Sequence, residues 1–358
     1  MKTDPQSPVD LLREMVQIQS HDSVDEIREY LLESIDGAKL HSSGCVVAEK
    51  GDSGGFHTVL NTHMDTVPPH IEYGYDADSG VVRGRGSCDA KASLAAMVSA
   101  FSRADPEDGR VTLVVSPDEE TDSVGLYDYL EDVSLDADLC VVGEPTNLDV
   151  CTAARGRYEV IADFFGEAAH AAAPESGLNA VSCVAEAVRR LEATQQKYDD
   201  LLGESSLTVT QIDGGEAKNQ VPENASLFID RRSVPPETQD KFLEEVDREM
   251  KGIDCDYEVR FSERPTPFLD AFRTDEDDVE RLVDAVEEAT GESRLRPFDA
   301  ATEASYLAKE MPVAVFGPGS ISETDEDGNE VAVAHSEREY VETDEVVTAT
   351  RVLSRLLD

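Results

Sequence analysis

Apolar side chains at Val9, Leu11, Leu12, Met15, Val16 and Ile18 recur at helical spacing and predict a helix over 8–19. A similar pattern predicts a second over 24–35. Beyond it, short apolar runs (58–60, 111–115, 139–142) read as strands, and 93–104 (SLAAMVSAFSRA) reads as a small-residue helix able to lie close on a sheet. This strand–helix alternation predicts an α/β domain with a mainly parallel sheet. Polar residues follow the runs at once: His63 and Asp65, then Asp118 to Glu120, then Glu144. Open α/β sheets place their ligand sites at such strand ends.

From about 156 the rhythm changes. Strand patterns at 158–165, 207–212, 225–230 and 257–261 interleave with helical ones at 178–198 and 237–250. The order βαββαβ predicts an α+β ferredoxin-like unit, an antiparallel sheet with helices on one face. A helix over 277–290, a strand over 313–316, a short segment at 331–334 and a closing helix over 343–357 then resume the first pattern. Residues 1–155 plus 263–358 are therefore expected to form one domain, and 156–262 an insertion. The acidic stretch 322–330 reads as a solvated loop.

Charge narrows the partners. Against 31 Lys+Arg stand 77 Asp+Glu, a net charge of −46, which repels phosphate backbones and anionic headgroups. Nucleic-acid and membrane partners are thereby disfavoured. With 40% apolar residues the chain is globular, and the surplus reads as an acidic surface like those adapted to high salt. No apolar stretch reaches the roughly 18 residues of a membrane span, and no basic-then-apolar leader opens the chain as given. Six scattered cysteines without C-x-x-C spacing favour reduced thiols in a cytoplasmic protein. Any metal must then be held by His and carboxylates.

Five clusters can carry chemistry: His63-Met64-Asp65, the helix-opening segment 85–91 (RGSCDAK), Glu119-Glu120, Glu144 and His335. Taken singly each has a plainer reading, an incidental H-x-D, a solvated Glu-Glu pair or a surface histidine. Position unites them, since four follow predicted strands or open a helix. Two imidazoles and several carboxylates are a ligand set for Zn²⁺, Co²⁺ or Mn²⁺. With one bridging carboxylate they can hold two ions, typically ~3.5–4 Å apart.

The motifs NTHMDTVPP (61–69), GRGSCDAKASLAAM (84–97), SPDEET (116–121), VGEPT (142–146), GEAAHAAAP (166–174), GGEAKNQVPENA (214–225), IDRRSVPPE (229–237), FGPG (316–319) and AHSEREYVE (334–342) resemble, in order, those of the M20 metallopeptidases and amidohydrolases. That family includes acetylornithine deacetylase and succinyl-diaminopimelate desuccinylase. The resemblance implies that His63 and Glu144 ligate one metal, Glu120 and His335 the other, with Asp89 bridging. It implies Asp65 as the residue orienting His63 and Glu119 as the general base. It further implies that the insertion dimerises and closes over the catalytic domain. His170 would stabilise the oxyanion in the partner subunit's site, Asn219 and Arg232 (rather than Arg231) would hold the substrate's α-carboxylate, and Gly317 and Gly319 would line the site.

Four positions depart from the family's common pattern: Ala92, Ala169, and Ala301 and Glu303 within Ala301–Ala304, where Gly-Thr-Asp-Ala is usual. Glu303 is expected near the pocket. The function implied is removal of an acyl group from an N-acyl amino acid, N-succinyl-diaminopimelate or N²-acetylornithine foremost, by a homodimer with two divalent ions, Zn²⁺ first. A dipeptidase or carboxypeptidase, a hydrolase of carrier-linked lysine or ornithine, and a non-catalytic descendant of the fold remain alternatives.

Overall fold

The computed structural model describes residues 6–52, 54–106, 109–325 and 328–357. The chain forms two compact units, one of Met1–Ala153, Arg273–Phe298 and Thr302–Asp358, the other of Ala154–Phe272 with Asp299–Ala301.

In the larger unit a nine-stranded sheet has the inner order Val46–Gly51, Gly109–Ser116, Phe56–His63, Leu139–Val142, Val313–Val315, Val150–Ala154. Phe56–His63 runs parallel to both Gly109–Ser116 and Leu139–Val142, and Val313–Val315 joins parallel to Leu139–Val142. Antiparallel pairs flank this parallel centre. The four central strands are buried almost throughout, as a sheet covered on both faces requires. The helix Lys91–Arg103 is buried on nearly every side, and its alanines and serines let it pack among the sheet, the first helix Pro8–Gln17 and the closing helix Thr343–Leu357.

Parallel pairing has a direct consequence for the polar residues. The register His63↔Ser116 and Asn61↔Val142 brings the ends of three strands to one edge. His63 closes its strand, and Glu119, Glu120 and Glu144 follow theirs within a few residues. Asp118 shapes the turn bearing Glu119 and Glu120. Its carboxylate accepts the N–H groups of Val124 and Gly125, the first donors of the helix Val124–Asp132.

The smaller unit has the strand order Ser206–Gly214, Asn224–Ser233, Gly156–Phe165, Asp256–Phe261, all antiparallel. Its core combines alternate residues of Gly156–Phe165 and Asn224–Ser233 with the apolar faces of the helices Ala180–Glu192 and Gln239–Met250. This is the βαββαβ ferredoxin-like arrangement. The unit reaches past 262 because Phe268 is buried in this core and Arg157 forms a bridge with Leu269.

Three expectations change. The helix expected over 178–198 ends at Glu192, because residues 197–205 turn back: Ser205 donates to the Lys197 carbonyl and Tyr198–Asp199 pairs with Gly203–Glu204. The stretch 322–330 is not simply a loop, since Ser322–Thr324 pairs with Glu330–Ala332; residues 326–327 lie outside the described ones. Nor are all six cysteines reduced. Cys183, on a helix, and Cys255, before the last strand of the unit, form a disulfide with Cα atoms 6.2 Å apart, whereas Cys45, Cys88, Cys140 and Cys151 are buried thiols outside any disulfide. Their separation of 72 residues hides the pairing from any local motif. Among the described residues no helix is long and apolar enough to cross a membrane.

Candidate metal centre

At the strand ends of the larger unit, His63, Asp65, Asp89, Glu119, Glu120, Glu144 and His335 come together. Asp89 lies between the two imidazoles, Oδ1 3.2 Å from His63 Nε2 and Oδ2 3.1 Å from His335 Nε2. Glu120 Oε1 is 3.0 Å from His335 Nε2, and Glu144 Oε2 is 4.0 Å from His63 Nε2. Donor atoms of His63, Asp89 and Glu120 lie within 4.8 Å of one another, as do those of His63, Glu119 and Glu144.

Asp65 organises three of these residues. Its carboxylate lies 3.2 Å from His63 Nδ1, which leaves Nε2 as the ring's free donor atom toward Asp89 and Glu144. The same carboxylate accepts the Glu119 N–H at Oδ1 (3.1 Å) and the Glu120 N–H at Oδ2 (3.0 Å). Across the site, the Thr302 hydroxyl donates to Glu144 Oε1 at 3.0 Å.

Electrostatics follow from crowding carboxylates in a poorly solvated place. Burial and the neighbouring Glu144 push Glu119 well above the usual carboxylate range, and burial with Asp89 raises Glu144 to about 8. Burial alone would lower His63, yet Asp65, Asp89 and Glu144 hold it well above its ordinary value. Hydrogen bonds to Asp89 and Glu120 raise His335 to about 10. Burial would raise Asp89, but His335 and His63 overcome it and depress the group. Five carboxylates thus face two imidazoles. The negative surplus, the N/O donor set and the converging atoms fit two divalent cations sharing Asp89.

The remaining residues are placed as follows. Gly317 packs so closely that a Cβ would lie 2.2 Å from Ser93 Oγ and 2.6 Å from the Glu144 carbonyl oxygen; its N–H and C=O both bond Thr146. Gly319, at φ +79°, approaches Cys88 and donates to Glu345. Glu303, expected near the pocket, is 1% exposed and accepts the Ser116 hydroxyl at 2.6 Å. Ala92 is buried on its helix.

In the smaller unit, Ala169–His170 pairs with Gln220–Val221, which sets His170 beside Asn219. His170 is exposed, and its Nδ1 accepts the Ala172 N–H at 3.1 Å, so in the neutral ring the proton sits on an outward-free Nε2. Arg231 is 1% exposed, locked by Glu237 and Gln196 and stacked on Phe242. Arg232 is the arginine with an accessible guanidinium, 40% exposed and paired with Asp230.

Sequence reasoning missed Thr302 and the reach of Asp65 to the two glutamate N–H groups. Thr302 stood next to the flagged Glu303, a signal that could have found it. The Asp65 bonds cross between strands and leave no trace in sequence.

A parallel sheet that gathers two imidazoles and five carboxylates at its strand ends is the frame of a metal-dependent hydrolase. The chain belongs to peptidase family M20/M25/M40, whose model matches residues 59–358. It is an enzyme of a family acting on amide bonds. An uncharacterized metallohydrolase of Methanocaldococcus jannaschii is 28% identical over 325 residues, covering 88% of this chain and 86% of that protein. A Pyrobaculum aerophilum protein provisionally named LysW-lysine/LysW-ornithine hydrolase is 29% identical, with 96% and 95% covered. A succinyl-diaminopimelate desuccinylase of Maricaulis maris is 28% identical (82% and 79% covered), and an acetylornithine deacetylase of Edwardsiella ictaluri 25% (87% and 82%). Aminopeptidase PepT of Bacillus cereus shares the fold with TM-score 0.81 at 18% identity, covering 100% and 99% of the two chains. So does the Bacillus subtilis protein YXEP, described as a dinuclear metal binding peptidase, with TM-score 0.70 at 14% identity and 98% and 96% covered.

Proposed function

We propose that this protein is a dinuclear metal-dependent amidohydrolase that releases an acyl group from an N-acyl amino acid, N-succinyl-diaminopimelate or N²-acetylornithine foremost. The observation that carries the reading is Asp89 set between His63 and His335, with Glu120 and Glu144 on either side. His63 and Glu144 would hold one ion, Glu120 and His335 the other, and Asp89 both. Two such ions, Zn²⁺ first and Co²⁺ or Mn²⁺ otherwise, polarise an amide carbonyl and lower the pKa of water toward neutrality.

The chain's own groups then divide the work. Glu119 accepts a proton from the water that adds to the amide carbonyl and returns it to the departing amine nitrogen as the C–N bond breaks. Asp65 fixes the tautomer of His63 and the backbone of the Glu119–Glu120 turn. His170, with Nε2–H free to donate, would stabilise the oxyanion in the partner subunit's site. Asn219 and Arg232 would hold the substrate's carboxylate, and Gly317 and Gly319 would shape the loop beside Glu144.

A homodimer through the smaller unit is part of this reading. Ser206–Gly214 is an edge strand, and Ile212, Phe165 and Val181 in the same unit expose apolar side chains. A second reading, hydrolysis of lysine or ornithine linked to a carrier protein, is favoured by the near full-length match to the P. aerophilum protein.

The test is hydrolysis in molar KCl with Zn²⁺ or Co²⁺ against N-succinyl-diaminopimelate, N-acetylornithine, other N-acetyl amino acids, dipeptides and carrier-linked lysine. One N-acyl substrate should outpace the rest and lose turnover on chelation. Turnover of the carrier-linked substrate alone would replace the first reading by the second. Two bound metals and no turnover on any substrate would point to a non-catalytic descendant.

A further inference from the structure

Behind the cluster lies an ion pair that the reaction as drawn does not use. Val81–Arg83 pairs antiparallel with Tyr340–Glu342, and this register sets Glu339 next to Arg85, although 254 residues separate them. Both are sealed from solvent, with side chains 2% and 0% exposed and Arg85 Nη1 2.6 Å from Glu339 Oε2. The other oxygen, Oε1, accepts the N–H groups of both Cys88 and Asp89 at 3.1 Å. The Arg85 guanidinium in turn donates to the carbonyls of Pro69 (3.1 Å), Ser336 (3.4 Å) and His335 (3.5 Å). His335 sits at φ +62°, a left-handed conformation uncommon for a residue with a side chain, so its backbone needs outside support.

One ion pair therefore grips the backbone under Asp89 with one partner and the backbone of His335 with the other. We infer that Arg85 and Glu339 are positioning residues that set the spacing of Asp89 and His335 and so determine how tightly the ion on His335 and Glu120 is held. The inference rests on the dinuclear reading above. It gives the two ions unequal supports: His63 and Glu120 answer to Asp65 and Glu144 to Thr302, whereas the His335 backbone answers to Arg85 and the shared Asp89 to Glu339. Such supporting contacts typically change metal affinity about 10–100-fold.

The test uses full-length protein stripped of metal and titrated with Co²⁺, followed by the visible absorption of the bound ion, with thermal unfolding recorded for each chain. Wild type should take up two equivalents. Arg85→Lys should bind one with wild-type affinity and the other about 10–100-fold more weakly, with a one-equivalent spectrum matching that of His335→Ala. Glu339→Gln, which also loosens the shared Asp89, should weaken the ion on His335 the most. Arg85→Lys keeps a cation opposite Glu339 and loses the planar fork, so it serves where Glu339→Gln fails to fold. Two equivalents bound as in wild type by both variants, or both ions weakened alike in Arg85→Lys, would overturn the inference and leave the pair a structural one. A wild-type chain that takes up fewer than two equivalents would instead overturn the dinuclear reading.

Discussion

The strand-end cluster of the larger unit and the polar residues of the smaller one are built in opposite ways. Around Asp89 the groups are tied to buried partners: Asp65 holds a ring and two backbone N–H groups, Thr302 holds Glu144, and Glu339 holds Asp89. His170, Asn219 and Arg232 are exposed or half-exposed and held by one or two local contacts each. The difference teaches where precision is needed. Groups that share a cation must meet within tenths of an ångström, whereas groups that meet a substrate can finish their approach on binding.

Chelation is the most severe way to break that comparison. Removing divalent ions should abolish turnover, and Zn²⁺ or Co²⁺ should restore it, as amide-hydrolysis rates before and after reconstitution will show. Next, Glu119→Gln should keep both ions and the fold while kcat falls by about 10²–10⁴. A mutant with the wild-type kcat would remove Glu119 from the proton path. In the smaller unit His170→Ala should lower kcat by about 10²–10³ with metal binding unchanged. Breaking the disulfide by Cys183→Ser should destabilise that unit by about 2–4 kcal/mol, read by denaturant unfolding, and leave the larger unit's metal affinity intact. The smallest effect belongs to Arg232→Ala, where one charge-assisted contact is lost and KM should rise about tenfold at little cost in kcat.

Much of this arrangement was legible in the chain, for identifiable reasons. Runs such as 111–115 and 139–142 announce buried strands because parallel strands are apolar on both faces. The residues just past them, Glu119, Glu120 and Glu144, could then be placed at one sheet edge. The order βαββαβ was readable because both helices of the smaller unit have a clear apolar face. Elements of two or three residues, such as Val81–Arg83 and Tyr340–Glu342, carry no period long enough to read. Yet this pair delivers Glu339 to Arg85. The helix Val124–Asp132 was obscured because its N-terminal donors are satisfied by Asp118, six and seven residues upstream, rather than by an adjacent cap.

The strand Val313–Val315 fills an inner place in the central sheet, between Leu139–Val142 and Val150–Ala154, yet it is specified more than a hundred residues after either. On a ribosome the smaller unit, continuous from Ala154 to Phe272 but for Asp299–Ala301, is nearly complete while the larger one still has a gap in its sheet. The two stretches that supply the larger unit's sheet are thus separated in the chain by the whole of the smaller one. His335 lies later still, so the proposed metal site would draw on parts of the larger unit specified both before and after the smaller one.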